Sequence, residues 1–332
     1  MKCAVLESPG KIRIADMDIP KIKDNEVLVK VQVCGICGSD RHAYCRGHPR
    51  IAYPIILGHE FSGTIVDSKS REINAGDRVV IDPNIACNAC DECRSGRRHL
   101  CKNLKSIGIN MQGAYAEYVA VPLENVYKIP EGLSMEEAAM TEPLACVLHA
   151  IDQISIRPGD NCLILGAGPI GLMFAMLFHN FGYNPVIISE ISEERLKFAK
   201  KYGTAFNPEN MNIRDMMKDQ SIDGFNIIID AAGNVKALEE AISIMAPAGK
   251  LMVFALYPED VTPKLSLAMI YKKEISIFSD FTNPYTMKRA LNLISSGTID
   301  IRSLITSTTS LRNVEVSLKR DTGIETLISI GK

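Results

Sequence analysis

The sequence predicts an α/β protein in two parts, a β-rich domain and a doubly wound parallel sheet. Three observations carry this expectation. The chain has 332 residues, more than the roughly 100–200 that one core usually organises. Its first half is built of short apolar alternations, KCAVLES, KIRIADM and EVLVKVQVCGI, broken by Pro, Gly and Asp-Asn. From about residue 150 onward, strand-like and helix-like segments take turns. Each strand candidate there is an almost continuous apolar run, as a sheet buried on both faces demands.

The elements follow in order. GDRVVIDP and AYAEYVAVP continue the β texture. NCLILGAG, PVIISE, FNIIIDAAG, KLMVFAL and EISIFSD are the buried strand candidates. PIGLMFAMLFHNFG, SEERLKFAKKYG and VKALEEAISIMAPAG are the helix candidates between them. PYTMKRALNLISSG predicts the last helix, ending at Gly297. SLITSTTSL and ETLISIG then return to β. No solenoid repeat is present.

Composition excludes several function classes. With 37 Lys+Arg against 39 Asp+Glu, the chain lacks the basic excess of a dedicated nucleic-acid binder. No apolar run reaches the roughly 18–20 residues of a membrane helix, so no membrane partner is expected. The N-terminal stretch has no signal-peptide core, because Glu7 interrupts its short apolar run. The expected location is the cytoplasm. In that reducing compartment the ten cysteines are read as thiols or metal ligands.

Four of them, Cys87, Cys90, Cys93 and Cys101, fall in CNACDECRSGRRHLC with C-x2-C-x2-C-x7-C spacing. Four thiolates fill a tetrahedral zinc and leave no position for a substrate. The cluster therefore predicts a structural zinc lobe.

LILGAGPIG places Gly166, Gly168 and Gly171 in G-x-G-x-x-G, after a strand candidate and before a helix candidate. Gly166 permits the tight turn, Gly168 the approach of a pyrophosphate, and Gly171 close helix–strand packing. Pro169 and Ile170 open the helix, whose N-terminus favours phosphate. Glu190 ends the second strand, 22 residues after Gly168, and suits the adenosine ribose hydroxyls. Its charge would repel a 2′-phosphate, and the first basic residue after it is Arg195. NAD is therefore expected over NADP.

A second donor set is scattered. CGICGSDRHAY holds Cys37, Ser39 and His42, LGHEFSG holds His59 and Glu60, and MTEPLAC holds Glu142. A catalytic zinc takes about three N, S or O ligands and keeps one open position. Cys37, His59 and a carboxylate would meet that need.

From CGICGSDRH through LGHEFSG, GDRV, the four-cysteine lobe, GAYAEY, TEPLA and GAGPIG to DAAG, the chain resembles the medium-chain zinc-dependent alcohol dehydrogenases. Within them it is similar to the polyol (sorbitol) dehydrogenase branch. The resemblance implies a GroES-like catalytic domain, residues 1–148 with 285–332, and a Rossmann NAD-binding domain, residues 149–284. It implies two zinc ions, with Cys37, His59, Glu60 and Glu142 as candidate ligands of the catalytic one. Which of Glu60 and Glu142 is the resting ligand stays open. Ser39 and His42 match a hydroxyl relay that carries the substrate proton to water while hydride passes to NAD.

Tyr44, Tyr115 and Glu117 lie in segments that border the substrate cleft in similar enzymes. The implied substrate is a polyol or sugar-derived alcohol. Alternatives within the family are a sugar acid, a sugar-alcohol phosphate or L-threonine. The chain has no Trp, which departs from the Trp-Asp element of threonine dehydrogenases. Ile109, Asn110, Met111 and Gln112 stand where sugar-phosphate relatives place arginines, although Arg41, Arg46 and Arg50 keep a phosphate in play. A distant alternative is a zinc-ribbon binding protein, resting on Arg94, Arg97, Arg98 and His99 between lobe cysteines. Similar enzymes are homo-dimers or homo-tetramers assembled on an edge strand of the cofactor domain, which points to KLMVFAL and EISIFSD.

Overall fold

The computed structural model describes residues 1–183, 185–320 and 323–331. The chain divides into two compact units, Met1–Cys146 with Thr282–Lys332, and Val147–Phe281.

The first unit is built on a seven-stranded sheet. Its path runs Val126–Lys128, Arg78–Ile81, Phe61–Ser68, Glu26–Gly35, Glu325–Ser329 and Ile305–Ser310, and Tyr118–Pro122 also pairs with Glu26–Gly35. A strand from the far end of the chain thus lies against one from its start, with Leu327 opposite Gly35. A three-stranded sheet adds Lys11–Asp16, Lys2–Ser8 and Ile55–Ile56. Val27, Val29 and Val31 alternate inward from the central strand onto Phe61, Ile65 and Tyr115. This is the period-2 pattern that the sequence displays.

The second unit holds a six-stranded parallel sheet in the order Thr204–Phe206, Val186–Ser189, Cys162–Leu165, Phe225–Asp230, Met245–Val253 and Ser276–Ser279. Strand order reverses between Cys162–Leu165 and Phe225–Asp230, the switch point where such sheets bind ligands. The central strand Cys162–Leu165 is buried throughout, Cys162 to Ile164 at 0 % exposure, as its apolar run requires. Helix Pro169–Asn180 buries eight consecutive residues, Gly171 to Phe178.

The structure adds elements that periodicity did not single out. Helix Gly38–Arg46 follows the central strand, and helices Met135–Ala139 and Thr141–Gln153 interrupt the β-rich half. In the second unit, strand Thr204–Phe206 and helices Ile213–Asp219 and Leu267–Lys273 are short. Met287–Ser295 is not the last helix, because Val314–Lys319 follows it. That six-residue helix buries only Val314 and Leu318, too few positions to set a visible period. No helix among the described residues is long and apolar enough to cross a membrane.

Candidate active site

Cys37, His59 and Glu60 converge in the first unit, with ligand atoms within 4.8 Å of one another. Each is held by its local backbone. Cys37 is the N-cap of helix Gly38–Arg46, and Asp40 in the first turn accepts its N–H at 3.1 Å. His59 and Glu60 end the loop that leads into strand Phe61–Ser68. The Gly35 N–H donates to the Glu60 carbonyl at 2.8 Å. A Cβ on Gly35 would lie 2.3 Å from Glu60 Oε2, so only glycine leaves room for that carboxylate.

Asp40 organises the group. It is fully buried. Its Oδ2 accepts the Cys37 N–H and the Tyr115 hydroxyl, the latter at 2.8 Å. Its Oδ1 lies 3.6 Å from His59 Nδ1, an ion-pair distance and too long for a hydrogen bond. A carboxylate facing one imidazole nitrogen leaves the other free to ligate.

The electrostatics are those of a cation site. Burial, then the Glu60 charge, push the Cys37 thiol up to about 11. Burial opposes a charged His59, yet Asp40 and Cys37 outweigh it and raise that imidazole well above its ordinary value. Burial raises Glu60, and it pushes Glu142 up to about 8 against the pull of His59. Glu60 Oε2 and Ser39 Oγ are buried without a hydrogen-bond partner. Soft sulfur, imidazole and carboxylate, desolvated and partly unpartnered, fit a zinc ion.

Glu142 opens helix Thr141–Gln153 and is 6 % exposed. It lies outside the three-residue set, although the His59 and Glu60 charges both act on it. Cys146, one turn on, donates to its Oε1 at 3.6 Å. Ser39 and His42 both lie on helix Gly38–Arg46, three residues apart and so on one face.

The three residues named as substrate candidates have these partners in the structure. Tyr115 is fully buried, with its hydroxyl spent on Asp40. Tyr44 is 3 % exposed and donates to Glu315 at 2.8 Å. Glu117 accepts the Lys2 N–H at 2.7 Å and fastens the first strand.

The four lobe cysteines also converge within 4.8 Å. Sγ separations are 4.0 Å for Cys87–Cys93, 3.6 Å for Cys90–Cys93 and 3.9 Å for Cys90–Cys101. Tetrahedral zinc with bonds of about 2.3 Å sets sulfurs about 3.8 Å apart. N–H groups of Cys87, Cys90 and Asn103 point at lobe sulfurs at 3.3–3.4 Å. Hydrogen bonds from Ala89 and Cys90 lower the Cys87 thiol to about 6. Backbone N–H groups lower Cys90 as well, whereas burial and the neighbouring thiols push Cys93 up to about 12.

In the second unit the glycine turn has the expected form. Gly166 takes φ +91°, and a Cβ on Gly171 would lie 1.9 Å from the Gly166 carbonyl oxygen. Gly168 caps helix Pro169–Asn180, with Pro169 at its first position and Ile170 next. Space at Gly168 is open, and Arg195 Nη1 is the atom nearest a Cβ built there, at 3.9 Å. Glu190 is 7 % exposed. Its Oε2 accepts the Ala167 N–H at 2.7 Å, and its Oε1 accepts those of Ile191 and Ser192.

Comparison with known proteins agrees with both units. The alcohol dehydrogenase GroES-like domain matches residues 23–131, and the zinc-binding dehydrogenase domain matches residues 169–296. Sorbitol dehydrogenase of Bacillus subtilis is 33% identical over 96% of this chain and 93% of its own length. A putative zinc-binding dehydrogenase of Sinorhizobium meliloti, solved with NADP, superposes with a TM-score of 0.93. It is 31% identical and covers 99% of this chain and 98% of its own. A short chain alcohol dehydrogenase of Escherichia coli CFT073, solved with NADH, gives 0.91 at 31% identity, with 99% of each chain covered. A GroES-like β unit and a dinucleotide-type parallel sheet define an oxidoreductase. The chain belongs to the zinc-dependent medium-chain alcohol dehydrogenase family, in its polyol dehydrogenase-like group.

Proposed function

We propose that this protein oxidises a secondary alcohol of a polyol or sugar-derived substrate to a ketone, with NAD as the hydride acceptor. The observation that carries this reading is the Cys37–His59–Glu60 group, with the buried Glu142 close enough to feel the His59 and Glu60 charges. The group holds one thiol beside carboxylates, and a harder, more polar site suits a substrate with several hydroxyls.

Zinc held there would supply Lewis-acid polarisation of the reacting hydroxyl. Glu142 orients the reacting group from beside the ligand set. Ser39 Oγ, buried and unpartnered, takes the hydroxyl proton, and His42, half-buried on the same helix face, passes it towards water. A second zinc in the Cys87 lobe is structural.

Glu190 favours NAD. Its carboxylate is fixed at the glycine turn by three backbone N–H groups, where a 2′-phosphate would meet fixed negative charge. Gly166, Gly168, Pro169, Ile170 and Gly171 form the pyrophosphate seat, with Arg195 beside Gly168. A phosphorylated substrate is disfavoured. Arg41 donates to the carbonyls of Ser317 and Arg320, and Arg50 to Leu104 O and Ser106 Oγ.

We also place the protein in the cytoplasm as a homo-dimer or homo-tetramer. Ser276–Ser279 is an edge strand with Ile277 at 46% exposure. An exposed apolar edge of this kind pairs with a second copy.

The test is a substrate panel of polyols, sugar acids, sugar-alcohol phosphates and L-threonine, followed as NADH formation. Turnover of a polyol above the rest is the expected result. Turnover of L-threonine or a phosphate alone would replace this reading.

A further inference from the structure

Glu325 is buried near the Cys37 group, at 4 % exposure, and has no task in the chemistry above. It begins strand Glu325–Ser329, which runs antiparallel to Glu26–Gly35 with Leu327 opposite Gly35. Ile36 N–H donates to Thr326 O at 3.1 Å and carries that pairing one step on. The same register, continued one residue beyond the strand, sets Glu325 opposite Cys37. Glu60, 3 % exposed, reaches the same stretch from the neighbouring strand, bonded to Gly35 and pressed against it.

Two buried acidic side chains therefore flank the Gly35–Cys37 segment. Neither forms a salt bridge among the described residues. Glu325 accepts the backbone N–H of Thr326 at 3.0 Å. Arg41, whose charge reaches Glu325, turns its Nη1 to the carbonyls of Ser317 and Arg320. An unpaired buried acid beside another is costly. Such an arrangement persists where function requires it.

We propose that Glu325 is a positioning residue for the metal centre. Its acidic group, level with Cys37 and across Gly35 from Glu60, strengthens cation binding by Cys37, His59 and Glu60 and destabilises the metal-free chain. This rests on the proposed metal role of that group. A residue that only fills space would act with one sign on both properties, whereas Glu325 acts with opposite signs.

The experiment equilibrates full-length wild type, Glu325→Gln, Glu325→Asp and Cys37→Ser with chelator-buffered zinc. It measures zinc per chain and the melting temperature of each sample. Glu325→Gln should release one equivalent at about 10-fold higher free zinc than wild type, with retention by the cysteine lobe unchanged. Once that equivalent is gone, the variant should melt at or above the wild-type temperature. Glu325→Asp, which keeps the charge, should retain zinc as wild type does. Equal retention by wild type and Glu325→Gln, equal weakening of the Asp and Gln variants, or a lowered melting temperature of the zinc-depleted Gln variant would overturn the proposal. If Cys37→Ser holds as much zinc as wild type, the metal reading itself fails. If only Cys37→Ser loses an equivalent, the Glu325 proposal alone fails.

Discussion

Asp40 faces His59 across 3.6 Å while its other oxygen accepts the Cys37 N–H. One buried carboxylate thus holds the Cys37 backbone by a hydrogen bond and faces His59 as an ion-pair partner, two candidate zinc donors from separate segments of the chain. It also takes the hydroxyl of the buried Tyr115, so the core of the first unit braces the site.

Replacing Asp40 should separate its two roles. Asp40→Ala strands the Tyr115 hydroxyl and the Cys37 N–H, at a cost of about 2–3 kcal/mol in denaturant unfolding. Asp40→Asn keeps an acceptor and should lose less stability. Both should weaken zinc binding about 10- to 100-fold, because the charge behind His59 is gone. Full retention of zinc by Asp40→Asn would show that His59 needs no such partner.

Asp82 predicts a pH dependence of stability. Burial pushes its carboxyl up to about 6, against the pull of the Asn84 N–H and Arg98. A carboxyl raised in the folded state adds stability below its unfolded value, and that stability is lost as pH rises through the folded value. Between about pH 4 and 6 wild type should lose on the order of 3 kcal/mol relative to Asp82→Asn. The asparagine variant should then be the more stable at neutral pH. Parallel denaturant curves for the two proteins across that window would rule out the assignment.

The lobe should be separable from the chemistry. Cys93→Ser should release one zinc per chain and lower the melting temperature. The protein that remains folded should keep its kcat within a few-fold. Loss of turnover in fully folded Cys93→Ser would reverse the roles of the two cysteine groups.

Glu190→Ala should raise KM for NAD about 10-fold and raise the NADP-to-NAD ratio of kcat/KM. The change removes both a ribose acceptor and the charge opposed to a 2′-phosphate. The turn should loosen as well, because Ala167 loses its acceptor. An unchanged ratio, or a wild type that prefers NADP, would refute the role given to Glu190.

The sequence made visible what local spacing controls. The Gly166–Gly171 turn, the apolar strands of the parallel sheet and the four-cysteine lobe each lie in one short stretch. Asp40 was missed as a site residue, although an acid three places after the helix N-cap is the capping-box position. Glu325 gave no signal at all. It comes near the Gly35–Cys37 segment only through the pairing of a late strand with an early one, and a single sequence does not reveal that register. Tyr115 is named from the resemblance of its segment to those bordering a substrate cleft, which does not show that the ring is fully buried with its hydroxyl on Asp40.

Zinc content and turnover of Cys37→Ser, measured on the same samples as wild type, bear most directly on where the chemistry lies. Wild type should hold zinc in both groups and oxidise a polyol with NAD. Cys37→Ser should keep its fold and the lobe zinc, lose the other equivalent, and fall at least about 1000-fold in kcat/KM. A folded Cys37→Ser protein that turns over polyol at the wild-type rate would contradict the assignment.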